Sequence, residues 1–324
     1  MADSSNQKAT PLLTSATSTF GGKIEGVGVD AKGDVYAVDW NKSLQSVGSV
    51  FSQKAYYVDP IPKAHMNGVR FFGKGAFIAD ATGHRVLKTT SGSDPKATVA
   101  CANPGILQPN DLALAPSGHL YLTGMAWAES KGDLWMCTPS SDGPGSTTLL
   151  SKDLDPTNGI EVDACRNLLY VSQITIVNGS KATGARILRL PLDSRSGKPK
   201  QPLTSLTRNP APQPWVNFDN LDQSGGAEVD GMRLDVRGNL YVTRLGEPSQ
   251  GGGQVLMLSP EGKILERITV SFNNPTNLEL GGPNGTTLVI VGACRDDSET
   301  GCVDTWEAPY PGQAWSRLQG SHRC

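Results

Sequence analysis

Residues 228–244 read EVDGMRLDVRGNLYVTR. Met232 and Leu234 alternate with polar neighbours, "DVRG" makes a turn, and "NLYVT" runs back as a second strand. A carboxylate, Asp230, stands at the start of the first strand, next to Gly231. Close copies recur along the chain: "EGVGVDAKGDVYAVDW" from Glu25, "NGVRFFGKGAFIADATG" from Asn67, "NDLALAPSGHLYLTGM" from Asn110, "NGIEVDACRNLLYVSQ" from Asn158 and "NLELGGPNGTTLVIVGA" from Asn277. Each has a polar anchor, alternating apolar residues, a turn with Gly or Asn, and an apolar return strand. The anchors recur roughly every 45 residues, the period of one four-stranded propeller blade.

Only the step from Asn158 to Asp230 is longer. It contains residues 192–226, rich in Pro, Ser, Asn and Gly, which read as an inserted loop rather than a seventh blade. Outer strands follow the anchor hairpins. "RVLKTT" (85–90), "DLWMCT" (133–138), "RILRLP" (186–191) and "QVLMLS" (254–259) read as third strands, and "AWSRLQ" (314–319) as the last of them. "KATVACA" (96–102), "STTLLS" (146–151) and "KILERITV" (263–270) read as fourth strands. The final blade lacks a fourth strand, and "TPLLTSAT" (10–17) is expected to supply it, closing the ring between the termini. The expected fold is therefore all-β: one domain over 1–324, a six-bladed β-propeller. A β-sandwich also alternates strands and turns, but does not predict a fixed polar residue in each repeat.

Composition agrees. The 324 residues include 37 Gly and 22 Pro, suited to many short strands and turns. A net charge of −2 gives no electrostatic footprint for nucleic acid. No apolar run is long enough to span a membrane, and the first twenty residues lack the pattern of a secretory signal, so a cytoplasmic location is expected. The 6 cysteines are scattered without CxxC, which disfavours thiolate metal sites; Cys294 and Cys302 are spaced to close a small loop. Sequons begin at Asn41, Asn178 and Asn284, little more than chance predicts.

First strands of propeller blades line the central channel, so the anchors Glu25, Asn67, Asn110, Asn158, Asp230 and Asn277 should form a ring. All are carboxylates or carboxamides. Two carboxylates in a dry channel repel one another and resist ionisation. A divalent cation removes that conflict, and an all-oxygen set suits Ca²⁺ best, with Mg²⁺, Mn²⁺ or Zn²⁺ also able to bind. Asn and Asp at strand starts also serve as turn formers, and Asn67 and Asn277 fit that role as well as they fit a ligand role. Glu25 does not. Asp30, Asp163 and Asp235, at the far turns, read as structural. The ends of the second strands return to the anchors' end and place Asp39, Trp40, Asp80, Met125, Gln173, Arg244 and Cys294 around the channel mouth as a substrate wall. The 192–226 insertion should fold over this mouth as a lid, with Trp215 and Phe218 in it.

"EGVGVD", "PNDLALAPSGHLYLTG", "PTNGIEVD…LLYVSQ" and "VDGMRLDVRGNLYVT" resemble the regucalcin and gluconolactonase family of six-bladed propellers over roughly residues 20–300. The resemblance implies one catalytic divalent metal held by Glu25, Asn158 and Asp230, with Asn110 contacting metal or substrate, and an activity opening sugar lactones. Departures are visible. Val27 stands where Glu-Gly-Pro is usual, Gln108 replaces a substrate-holding Arg two residues before Asn110, and Gly124-Met125 replaces a common Asp. The metal centre looks retained while the sugar contacts are thinned, so a less polar lactone is expected. The implied mechanism is metal-assisted hydrolysis with Asp230 as proton acceptor; Asp39 and Asp80 are weaker candidates. GxSxG is absent, and His65, two residues before Asn67, reads as structural. Asn67, Asn110, Gln108, Trp40, Asp80, Met125, Gln173, Arg244, Asn277 and Trp215 complete the expected substrate contacts. A competing reading is a biosynthetic condensation or cyclisation of the strictosidine synthase type; a non-enzymatic interaction propeller is the third.

Overall fold

The computed structural model describes residues 5–40, 46–61, 64–73, 75–92, 94–177, 181–200, 214–221, 228–246 and 252–321. Six antiparallel sheets follow one another along the chain. Their innermost strands are Ile24–Val29, Met66–Phe72, Gln108–Leu114, Thr157–Asp163, Val229–Leu234 and Pro275–Gly281. The fold is the six-bladed β-propeller expected from the repeat. Six hydrophobic clusters hold it together, and each lies between two consecutive blades rather than within one. Val27 and Val35 of blade one, for example, share a cluster with Val289, Val291 and Val303 of blade six. A blade buries both faces only when it has two neighbours, so the ring must close.

Closure uses the N-terminal segment. Thr10–Leu13 pairs antiparallel with Gly301–Glu307 and completes blade six. Just before it, Ser5–Lys8 pairs in parallel with Ile264–Thr269, adding a fifth strand to blade five. The third strand of blade six is thus Gly301–Glu307, and the stretch expected as that strand is the helix Gln313–Leu318 instead. Pro311 and Gly312 interrupt the chain before it, and Ala314, Trp315 and Leu318, spaced one and four apart, pack as a helical stripe on the cluster between blades six and one.

The described parts of the insertion take other roles than a lid over the mouth. The described residues 193–200 form a turn at the end opposite the anchors, where the Tyr121 hydroxyl donates to the Gly197 carbonyl. After it, Val216–Asn217 returns to pair with the Lys181–Pro191 strand and supplies the fourth strand of blade four. The remainder of 192–226 lies outside the described residues, as do the sequon residues Asn41 and Asn178; Asn284 is exposed.

Disulfides join Cys101 of blade two to Cys137 of blade three, and Cys294 to Cys302 within blade six. Cys165 is disulfide-bonded as well. No helix among the described residues is long and apolar enough to cross a membrane.

Candidate active site at the anchor end of the channel

Every innermost strand carries a β-bulge at the same place. Ile24 pairs with Asp39 and Val27 with Ala37, so Glu25 and Gly26 together face one residue of the partner strand. The same shift brackets Asn67, Asn110, Asn158 and Asp230. A bulge leaves one residue out of the ladder and re-aims its side chain. This explains how a polar anchor fits a strand that is otherwise buried. The glycine that follows is a matter of space: a Cβ on Gly26 would lie 2.4 Å from the Asn67 carbonyl, and one on Gly159 would lie 2.2 Å from that of Asp230. Each blade's bulge is pressed against the next.

In blade six the bulge falls between Pro275 and Asn277. Thr276 therefore occupies the anchor position, and Asn277 stands one residue later, where the other blades have Gly26 or Asp111. Its Oδ1 accepts from its neighbour's amide, Leu278 N, as Asp111 Oδ1 accepts from Leu112 N. Asn277 is thus not the sixth equivalent anchor. The turn aspartates are structural as expected: Asp30, Asp163 and Asp235 each accept two backbone amides through Oδ1.

Glu25 stands close enough to Asp230 to raise the proton affinity of Asp230. Burial pushes the Glu25 carboxyl up to about 7, Lys23 pulls it down, and Asp111 adds to the rise. Asp230 is raised by burial, then by Glu25, Asp111 and Glu228, with a hydrogen bond from Asn158 acting the other way. Asn158 keeps its Oδ1 buried and without a partner. Nearby, Asn67 Nδ2 donates to Asn110 Oδ1 at 3.1 Å.

Beneath the anchors lies a second layer, fully buried. Arg233 Nε contacts Glu279 Oε2 at 3.0 Å, its Nη1 is 3.5 Å from Asp111 Oδ2, and Glu161 stands 3.9 Å away. Arg70 Nη2 is 3.2 Å from the same Asp111 oxygen. Three carboxylates already outnumber two guanidinium groups here, so this layer has no positive charge left over for Glu25 and Asp230. A hard divalent cation fits the donors above it: two carboxylates whose repulsion it would relieve, and a buried amide oxygen that has no donor. With only two carboxylates in the set, the described residues contain no cluster of three or more His, Cys, Asp or Glu arranged for a metal.

The expected substrate wall is only partly at the mouth. Asp80 is buried, and its oxygens take the Gly83 amide and the Arg85 guanidinium, so it has no side left for substrate. Asp39 is likewise buried and accepts from Gly21 N. Gln173 is buried, its Oε1 held by Arg186. Cys294 is consumed by its disulfide. Trp215 is far from the mouth: it packs on Tyr170, with Gly262 and Arg189 beside it, at the opposite end of blade four. Phe218 does reach the anchor end, but as a buried support 5.5 Å beneath Arg244. Met125 pairs with the exposed Gln108. Trp40 lies under the Lys23 ammonium at 3.9 Å and beside His65.

Two mouth residues escaped the sequence reading. Lys23 and Glu228 each precede an anchor by two, the strand period that puts them on the same face. Glu228 is half-buried, and burial raises its carboxyl.

Residues 25–293 match the model of the SMP-30/gluconolactonase/LRE-like region. The chain belongs to this family. Regucalcin from Agrobacterium tumefaciens, described as a calcium-binding protein, superposes with a TM-score of 0.68 at 18% identity, covering 97% of each chain. A luciferin-regenerating enzyme gives 0.66 at 16% identity, over 94% of this chain and 96% of that one. A gluconolactonase from Xanthomonas campestris gives 0.59 at 16%, over 93% and 87%. At these identities the structural likenesses establish the fold alone. No curated protein matches the sequence.

Proposed function

We propose that this propeller is a divalent-cation-dependent hydrolase that opens a lactone at the anchor end of its channel. The observation that carries the reading is the facing pair Glu25 and Asp230, with the unpartnered Asn158 oxygen beside them and no compensating cation in the layer below. Family membership supports hydrolysis over the condensation alternative, and the calcium binding described for regucalcin supports Ca²⁺ as the favoured ion. When bound, the cation would polarise the lactone carbonyl and lower the pKa of water.

The chain's own residues do the rest. Asp230, at the start of its strand beside Asn158, is the carboxylate suited to accept the proton of the attacking water. Asn110 has its Oδ1 occupied by Asn67, which turns its amide NH₂ toward a substrate oxygen. Met125 offers apolar surface, and Gln108 offers no positive charge for a polyhydroxy acid, which supports a substrate less polar than an aldonolactone. The disulfides support an oxidising compartment over the cytosolic location expected from the sequence.

The test is lactone opening followed by pH-stat on a panel from gluconolactone to alkyl and aryl lactones. Turnover should disappear on chelation, return with Ca²⁺, and fall at least about a hundredfold in Asp230→Asn. Turnover indifferent to both treatments would sink the proposal.

A further inference from the structure

A cavity of about 530 Å³ opens at the end of the propeller opposite the anchors, between blades two and three. This is within the range of small-molecule sites. Its walls are mostly apolar: Phe72 and Phe77, stacked with centroids 4.6 Å apart, face Leu114 and Pro116, and Leu318 of the C-terminal helix closes one side. Its basic side chains outnumber its acidic ones. Arg70 stands at the inner end, with Lys88 and Arg317 also lining the cavity. The single lining carboxylate, Glu279, is already paired with Arg233 and with the Leu280 amide.

Arg70 is committed to the layer on the axis. Its Nη1 donates to the Val27 and Val69 carbonyls, and its Nη2 to Asp111 and Ile160. Its Nε–H is buried out of reach of the cavity, so the cations open to a ligand are the half-buried Lys88 and Arg317. Lys88 Nζ lies 5.6 Å from the centre of the Phe72 ring, and Arg317 is fixed to the Leu114 carbonyl at 3.0 Å. The cations are thus held against apolar surface, where an ionised oxygen is bound more strongly than in open water.

We propose that this cavity binds a small amphipathic carboxylate, an alkyl or aryl acid, with its apolar body against Phe72 and Leu318 and its carboxylate between Lys88 and Arg317. The site is separate from the anchors and does not depend on the lactonase reading.

The experiment is calorimetric titration of the intact protein with decanoate, and with decanol as the uncharged control. Decanoate is expected to bind one per chain in the micromolar range, with decanol at least about tenfold weaker. Lys88→Ala should weaken decanoate about fivefold. Ser140→Trp, an exposed lining position, should block the mouth and abolish binding while the near-ultraviolet circular dichroism stays native. Asp230→Asn, at the other end of the channel, should leave decanoate binding unchanged. No binding of decanoate, equal binding of decanol, or decanoate binding untouched by both Lys88→Ala and Ser140→Trp would overturn the proposal. Loss of binding in Asp230→Asn would do the same, since it would place the ligand at the anchors.

Discussion

Replacing Arg233 by methionine probes the layer on which the anchors rest. Arg233 is 1% exposed and joins the blades at the axis. Its Nη1 donates to the Met232 carbonyl and its Nη2 to the Val27 carbonyl, both at 2.6 Å, while Glu279 and Asp111 take its charge from blades six and three. Methionine fills much of the volume but leaves Asp111, Glu161 and Glu279 with Arg70 alone. Breaking a buried pair by removing one partner costs about 3–5 kcal/mol, because the orphaned charge stays in low dielectric. That is a large share of the roughly 5–15 kcal/mol by which domains are stable. Urea unfolding followed by tryptophan fluorescence reads the loss. The double variant Arg233→Met/Glu279→Leu restores the charge balance and should recover at least half of it. The deficit of the single variant should also shrink toward acid pH, as the stranded carboxylates protonate. A loss below about 1 kcal/mol, or a double variant no better than the single, would refute the role assigned to this layer.

Chelated protein should lose stability as pH rises from about 4.5 to about 7, because Glu25, raised to about 7, holds a proton in the folded state that the unfolded chain has released. The loss from Glu25 amounts to at most about 3 kcal/mol, reduced by its partial exposure, and Glu25→Gln should flatten it; a melting temperature that rises across this window would contradict the burial assigned to Glu25. Gly159→Ala pushes a methyl to 2.2 Å from the Asp230 carbonyl, so it should cost about 1–3 kcal/mol and lower lactone turnover by displacing the anchor, which thermal melts and the pH-stat assay together would check. Reducing the Cys101–Cys137 bond, which spans 36 residues, should cost about 4 kcal/mol. A melting temperature unmoved by dithiothreitol in the wild type but lowered in Cys101→Ser would show that the bond resists reduction, whereas no change in either would remove its stabilising role.

Much of the architecture was legible along the chain. Strand alternation and turn residues are local signals, so the six repeats, their outer strands and the N-terminal closing strand stand out without knowledge of any contact. The same holds for Glu25, Asn67, Asn110, Asn158 and Asp230, since a polar residue in one fixed place of a buried strand is visible as soon as the copies are aligned. Register is not local. Asn277 resembles the other anchors in letter, but the bulge in blade six falls one residue earlier and gives the position to Thr276. Nothing in the repeat singles out Arg70 and Arg233. Only the closed ring turns them onto the axis, where the opposing carboxylates come from other blades. Trp215 and the 314–319 stretch failed for a related reason: whether an apolar segment becomes a lid, a strand or a helix depends on which surface is left uncovered once the blades have packed. Local pattern determined what the pieces are. Closure of the ring decided which way each side chain faces, because burial between blades exists only after the last blade meets the first.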